Sequence, residues 1–381
     1  MRKYFIVIAI IFVSILSFSA NAKTENTKPK KILSAYLPSW IDWDVNEIRG
    51  NELTSIKLSF ILIKDGKAVF GEDSPSSKFE ENFDKLKKLK NKYPHLKILV
   101  AVGGWGADGF SDMAASENSR KIFIDSLMTI VEKYELDGLD IDWEFPVNGA
   151  WGLIKSSPLD KENFTLLMRD LRFSLNELSL KTSKQYSLSF AASVGPWFLD
   201  VVDLKDIMNY VDYVSIMGYD IAGGWSGKTE HQAGLYRGES DWSVSEAVTK
   251  FINAGVKPSQ IVIGFPFYGK EFLNVKNENN GLYQPFNGMG GINGEGYLPY
   301  KNIKDIYANN KDYKRFFDKT SQVSYLFNAK DGIFISYNDS ESLKIGAEYI
   351  KKNNLAGAMI WEITQDDKEG TLLKALYDNL K

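Results

Sequence analysis

The sequence predicts an α/β fold: a (β/α)₈ TIM barrel with a small α+β insertion domain between strands seven and eight. Three observations lead there. Eight short, apolar, β-rich runs occur between residues 32 and 361. Helical patterns with a single apolar stripe lie between them, the alternation expected of a barrel. Several of the runs are apolar almost throughout, as parallel strands covered on both faces must be. A doubly wound open sheet would alternate in the same way, but no Gly-rich phosphate fingerprint follows the first run.

The elements follow in order. Arg2 and Lys3 precede an apolar stretch over 6–18 and then Ala20-Asn21-Ala22, the pattern of a cleaved secretory leader over residues 1–22. The stretch is short for a membrane span. The expectation is therefore a secreted protein, extracellular or periplasmic, with no membrane contact after cleavage. Residues 23–31 form a polar linker. The strands are expected over 32–36, 55–63, 98–102, 138–143, 187–194, 211–217, 261–267 and 356–361. Ser77-x-x-Glu80 reads as a capping box ahead of the stripe Phe79, Phe83, Leu86 and Leu89. Further stripes run through Ile122, Phe123, Leu127, Ile130 and Val131, through Leu167, Leu171, Leu175 and Leu178, and through Leu372, Leu373, Leu376 and Leu380. Ser243-x-x-Glu246 caps another helix, which Gly255 ends. The stretch 272–327, rich in Asn, Gly, Tyr and Lys, is too long for a simple connection. It is assigned to the insertion domain, leaving 32–271 and 328–381 to the barrel.

Composition removes several function classes. Without Arg2 and Lys3, 44 of the 46 basic residues remain against 49 acidic ones, a net charge of −5. No basic stripe lies outside the 23–31 tail, so nucleic acid is not an expected partner. There are no cysteines and two histidines, His95 and His231. A Cys/His metal site is excluded by counting, and both histidines read as ordinary surface residues. No cofactor is implied, and a monomer stabilised by its apolar core is expected.

Residues 136–146 read Leu-Asp-Gly-Leu-Asp-Ile-Asp-Trp-Glu-Phe-Pro. Leu139, Ile141 and Trp143 point one way and Asp140, Asp142 and Glu144 the other. In a barrel the acids then face inward, rising toward the C-terminal mouth, with Asp137 just below. Neighbours on one strand face lie about 7 Å apart, and buried like charges raise one another's pKa. A fold gains nothing from that cost, whereas a general acid that must hold its proton near neutral pH does. Glu144, nearest the mouth, is placed to donate and Asp142 to tune it. A calcium loop would need flexible polar spacers where Ile141, Trp143 and Phe145 stand.

The series Asp137-x-x-Asp140-x-Asp142-x-Glu144 resembles the D-x-x-D-x-D-x-E signature of glycoside hydrolase family 18. Ala101-Val102-Gly103-Gly104-Trp105 resembles that family's third strand, Met217-Gly218-Tyr219-Asp220 its sixth and Gly264-Phe265-Pro266-Phe267-Tyr268-Gly269 its seventh. Trp361 is similar to its eighth-strand tryptophan. The resemblance implies a chitinase working by substrate assistance, in which the N-acetyl oxygen of the sugar is the nucleophile. It gives Glu144 the role of acid and base and Asp142 that of acceptor for the acetamido N–H. Asp140 would share the Asp142 proton from below, and Tyr219 would hold the acetamido oxygen. Asp220, Trp361, Met217, Trp105, Tyr36, Gly104, Phe60 and Tyr268 would line the substrate site. Chitin or its oligosaccharides is the implied partner.

Two departures stand out: Ala101 replaces a serine that supports the deep aspartate, and Lys270 replaces an arginine. The first would leave Asp140 less well satisfied; the second keeps a charge without the bidentate fork. Three rivals remain: a chitin-binding lectin, an endo-β-N-acetylglucosaminidase acting on N-glycans, and an enzyme of peptidoglycan. All four acids are present, against the lectin; Met217 and Trp143 speak against the N-glycan enzyme.

Overall fold

The computed structural model describes residues 31–71 and 76–381; the leader expected over 1–22 and residues 23–30 of the polar linker lie outside them. Eight strands close a barrel: Ile32–Pro38, Ser55–Lys64, Lys97–Gly103, Gly138–Asp142, Ser187–Ser193, Tyr213–Met217, Ile261–Pro266 and Gly357–Trp361. Each pairs in parallel with its neighbours in chain order. The first strand closes the ring, placing Tyr36 opposite Lys57 and Ala35 opposite Ile360. The sixth strand starts at Tyr213, two residues later than the apolar run suggests.

Alternation along the strands separates two interiors. Ile56 and Leu58, Val100 and Val102, and Leu139 and Ile141 point out into the main core against the helices. Burying such side chains stabilises the fold by about 1.5–3 kcal/mol each. The lumen is different: Tyr36, Lys57, Ala101, Asp140, Ser189, Tyr213, Ser215 and Met359 are all buried there. Polar groups this deep must satisfy one another, which makes the lumen a network and not an oil drop.

The helices cover the outside. Ser76–Lys92 buries Phe79, Phe83, Leu86 and Leu89. It begins at Ser76, so Ser77 falls inside its first turn and not at its cap. In Glu117–Lys133 the buried face is Phe123, Ile124, Leu127 and Val131. Ile122, expected on that stripe, is exposed, and Ile130 is only half-buried. Asp160–Thr182 and Thr371–Leu380 bury the expected leucines. Ser243 caps Val244–Asn253 by accepting from the Glu246 amide, and Gly255, at φ 99°, follows its end.

Between the seventh and eighth barrel strands lies a second, antiparallel sheet of five strands. Its order is Tyr297–Pro299, Tyr268–Phe272, Ile333–Tyr337, Val323–Asn328 and Lys314–Asp318. Phe272, Leu282, Tyr325, Phe327 and Phe334 give it its own apolar cluster. The strand Tyr268–Phe272 begins two residues after the seventh barrel strand ends at Pro266, which fixes this sheet to the barrel mouth.

Candidate active site

The C-terminal ends of the barrel strands enclose a cleft of about 600 Å³. Glu144, Asp142, Tyr219, Asp220, Met217, Trp361, Phe60, Gly104 and Trp105 line it, all of them expected site residues. Asp140, Tyr36 and Tyr268 do not reach the cleft surface; they are buried beneath and beside it.

The acids occupy the fourth strand at three depths. Glu144, just past the strand end, is half-buried at the cleft floor. Burial holds its carboxyl well above the usual range, reinforced by the charges of Asp142 and Asp220. Asp142 is buried, its Oδ1 without a hydrogen-bond partner. Burial, then the Asp140 charge, pushes it up to about 8, while Lys57 pulls the other way. Two carboxyls held above their ordinary range therefore stand in succession toward the floor.

Asp140 corrects one expectation. It accepts from Lys57 Nζ at 2.8 Å and Ser189 Oγ at 2.5 Å on Oδ1, and from the Tyr36 hydroxyl on Oδ2. It is thus well satisfied despite Ala101, which stands opposite it in register. Neither Lys57 nor Ser189 stood out in the sequence, because a lone lysine between Ile56 and Leu58 reads as a solvent-facing strand position.

Asp137 does not belong to the acid series at all. It lies at the opposite end of the strand, paired with Lys90 and, at 2.8 Å, with Lys184, and accepts from the Ile98 amide at 2.7 Å. Burial raises its pKa, but the two lysines outweigh it and hold the carboxyl below its ordinary value. Asp137 is a basal clamp.

The walls are aromatic. Trp361 lies nearly parallel to Phe60 at 5.8 Å and edge-on to Tyr36 at 5.2 Å. Gly104, at φ 93°, admits the Phe60 ring: an added Cβ would sit 2.6 Å from it. Gly103 leaves no more room, its Cβ position being 2.2 Å from the Asp142 carbonyl oxygen. Trp40 also lines the cleft and stacks on Phe60 at 6.2 Å. It was missed although it follows the first strand's C-terminal end, where a tryptophan faces the mouth. A chain of edge contacts runs outward from Trp105 through Phe145 and Trp197 to Trp151. Trp105 and Trp151, at its two ends, are 62% and 70% exposed.

On the side of the second sheet, Lys270 pairs with Asp220 at 3.0 Å and lies 5.6 Å from the Trp225 ring. Burial holds the Tyr268 hydroxyl well above its ordinary pKa, and the Asp220 charge adds to the effect. Tyr219 is buried, its hydroxyl 3.9 Å from the Met359 sulfur and held neutral by burial and the surrounding carboxylates. His231 is not a surface residue: it is buried, and Nε2 meets Asp318 at 3.0 Å. Its place beside the second sheet could not be read from a Gly-rich segment. His95 is exposed, as expected. Among the described residues no group of three or more His, Asp or Glu side chains is placed to hold a metal ion.

The model for "Glycosyl hydrolases family 18" matches residues 25–366. Chitinase A1 of Niallia circulans is 33% identical over 326 residues, covering 82% of this chain and 46% of the relative. The crystal structure of chitinase ChiW from Paenibacillus sp. str. FPU-7 superposes with a TM-score of 0.85 at 37% identity, over 92% of this chain and 42% of that one. A family 18 N-acetylglucosaminidase from Paenibacillus barengoltzii gives 0.83 at 34% identity, over 92% and 100%. The chain thus spans less than half the length of Chitinase A1 and of ChiW.

Proposed function

The chain belongs to glycosyl hydrolases family 18, and from that premise we propose that it is a retaining chitinase cleaving β-1,4 bonds between N-acetylglucosamine units. The observation that carries the reading is the succession of Glu144 and Asp142, proton-holding carboxyls on one strand face at the floor of an aromatic cleft.

On this reading Glu144 gives its proton to the glycosidic oxygen as the C1–O bond breaks. The acetamido oxygen of the same sugar forms the new bond to C1, and an oxazolinium ion results. Asp142, as the anion, accepts the acetamido N–H and offsets the positive charge, a role that suits its unpartnered Oδ1. The Tyr219 hydroxyl holds the acetamido oxygen in line, and Asp220 contacts the sugar. Water then adds to C1 as the bond from C1 to the acetamido oxygen breaks, giving its proton to Glu144, with net retention. Trp361 and Phe60 form the apolar floor beneath the ring, and Trp105 stacks on the departing side.

Chitin oligosaccharides are the proposed partners, and the protein acts as an exported monomer. Export rests on the leader pattern over 1–22. Stepwise release of single sugars is a second reading, favoured by the relative of that activity whose full length this chain matches. Incubation with chitotetraose, an N-glycan and peptidoglycan in parallel tests the substrate. Dimers from the tetramer support the chitinase, monomers the second reading. Cleavage of only the N-glycan or only peptidoglycan refutes both.

A further inference from the structure

Lys57 sits on the inward face of the second barrel strand, between Ile56 and Leu58, which pack outward into the main core. Its side chain and that of Asp140 are both fully enclosed, 2.8 Å apart. Burying either charge without the other would be strongly unfavourable, so the pair stands or falls together. Ser189 and Tyr36 add donors from two further strands. The strand between those of Lys57 and Asp140 carries Ala101 at the level of Asp140. Its one-carbon side chain brings no donor and leaves the lysine room to reach across the lumen.

The contrast with the next acid is sharp. Asp140 is committed to three donors, whereas Asp142 Oδ1 has none. The other groups facing this floor are the hydroxyls of Tyr36, Tyr213 and Tyr219, all kept neutral by burial first, and the carboxyls of Glu144 and Asp220. Ala101 and Met359 bring nothing that titrates. Among the described residues Lys57 is the one cation acting on Asp142.

We propose that Lys57 is a positioning residue: its ammonium holds the Asp140 side chain in place and balances its charge beneath Asp142, and so tunes how firmly the floor of the cleft keeps its proton. The inference rests on the glycosidase reading of Asp142 and Glu144 and specifies how their proton is kept. Glu144 carries the proton to the leaving oxygen while Asp142 faces the acetamido N–H as an anion. Without the ammonium, the Asp140 charge would stand uncompensated beneath Asp142 and hold protons on the pair to higher pH.

The test is a carboxyl-carbon NMR titration of Asp142 in the uncomplexed full chain, in the parent, Lys57→Met and Lys57→Met/Asp140→Asn. In Lys57→Met the Asp142 midpoint rises by roughly one pH unit or more, and the basic limb of the pH–kcat profile moves up with it while KM changes little. In the double variant both charges are gone and the midpoint falls below the parent's, because Asp140 acts on Asp142 more strongly than Lys57 does. The double variant buries no unpaired charge, so it decides the matter if Lys57→Met does not fold. An Asp142 midpoint unchanged in the folded variants overturns the proposal. The titration needs no substrate, so a failure to cleave chitin would count against the preceding reading and leave this result standing.

Discussion

Phe60 and Trp361 lie 5.8 Å apart with 20° between their planes, joining the ends of the second and eighth barrel strands across the mouth. Phe60 is held from the other side by Gly104, whose missing side chain makes its place, and Trp40 stacks beyond it. The floor of the cleft is therefore one aromatic surface assembled from three strand ends.

That surface should matter to turnover. Trp361→Ala is expected to lower kcat/KM on chitotetraose by roughly 10- to 100-fold, about 1.4–3 kcal/mol of lost apolar contact. Trp361→Phe should recover part of it. Steady-state kinetics on the three proteins checks this, and a change under about twofold would remove Trp361 from the substrate floor.

Asp142 should trade stability for function. Its carboxyl is raised from 3.8 to about 8 by burial and by Asp140. Between those values the unfolded chain releases a proton that the folded one keeps, so this group costs stability progressively as pH rises through the interval. Asp142→Asn has no such proton to lose. Its Tm should therefore exceed the parent's by a margin that grows from pH 4 to pH 8, while its activity falls. Thermal unfolding across that range checks the sign; a margin that shrinks with pH would contradict the burial argument.

Asp137→Asn should do the reverse. The parent carboxylate is held down by Lys184 and Lys90 against the effect of burial, so its contribution is present above its ordinary pKa and fades as pH falls. Both lysines are about one-third exposed, which limits the loss to about 1–2 kcal/mol at neutral pH. Denaturant unfolding should show that loss with kcat unchanged. A large fall in kcat with intact stability would return Asp137 to the catalytic series.

The contrast between those two aspartates marks what a sequence can carry. Eight apolar runs and the two-residue period through Asp140, Asp142 and Glu144 are local patterns, and local patterns set strand direction and face. What an inward group meets is not local. Lys57 finds Asp140 83 residues away, and Asp137 finds Lys90 and Lys184 across 47 residues on either side. The doubt raised by Ala101 failed for the same reason: the missing hydroxyl is replaced from other strands. Ile122 and Ile124 both fit a helical stripe by hydropathy, and only packing chose Ile124. His231 became a buried ion-pair partner through Asp318, a residue of the second sheet.

The decisive variant is Glu144→Gln. The amide keeps the shape of the side chain and removes its proton. Parent and variant are each incubated with chitotetraose, with binding followed by calorimetry and products by anomer-resolved chromatography. A general acid at Glu144 should give β-anomer products from the parent, a loss of turnover of about 10²–10⁴-fold or more in the variant, and binding retained. Turnover within tenfold of the parent, or α-anomer products, would contradict it.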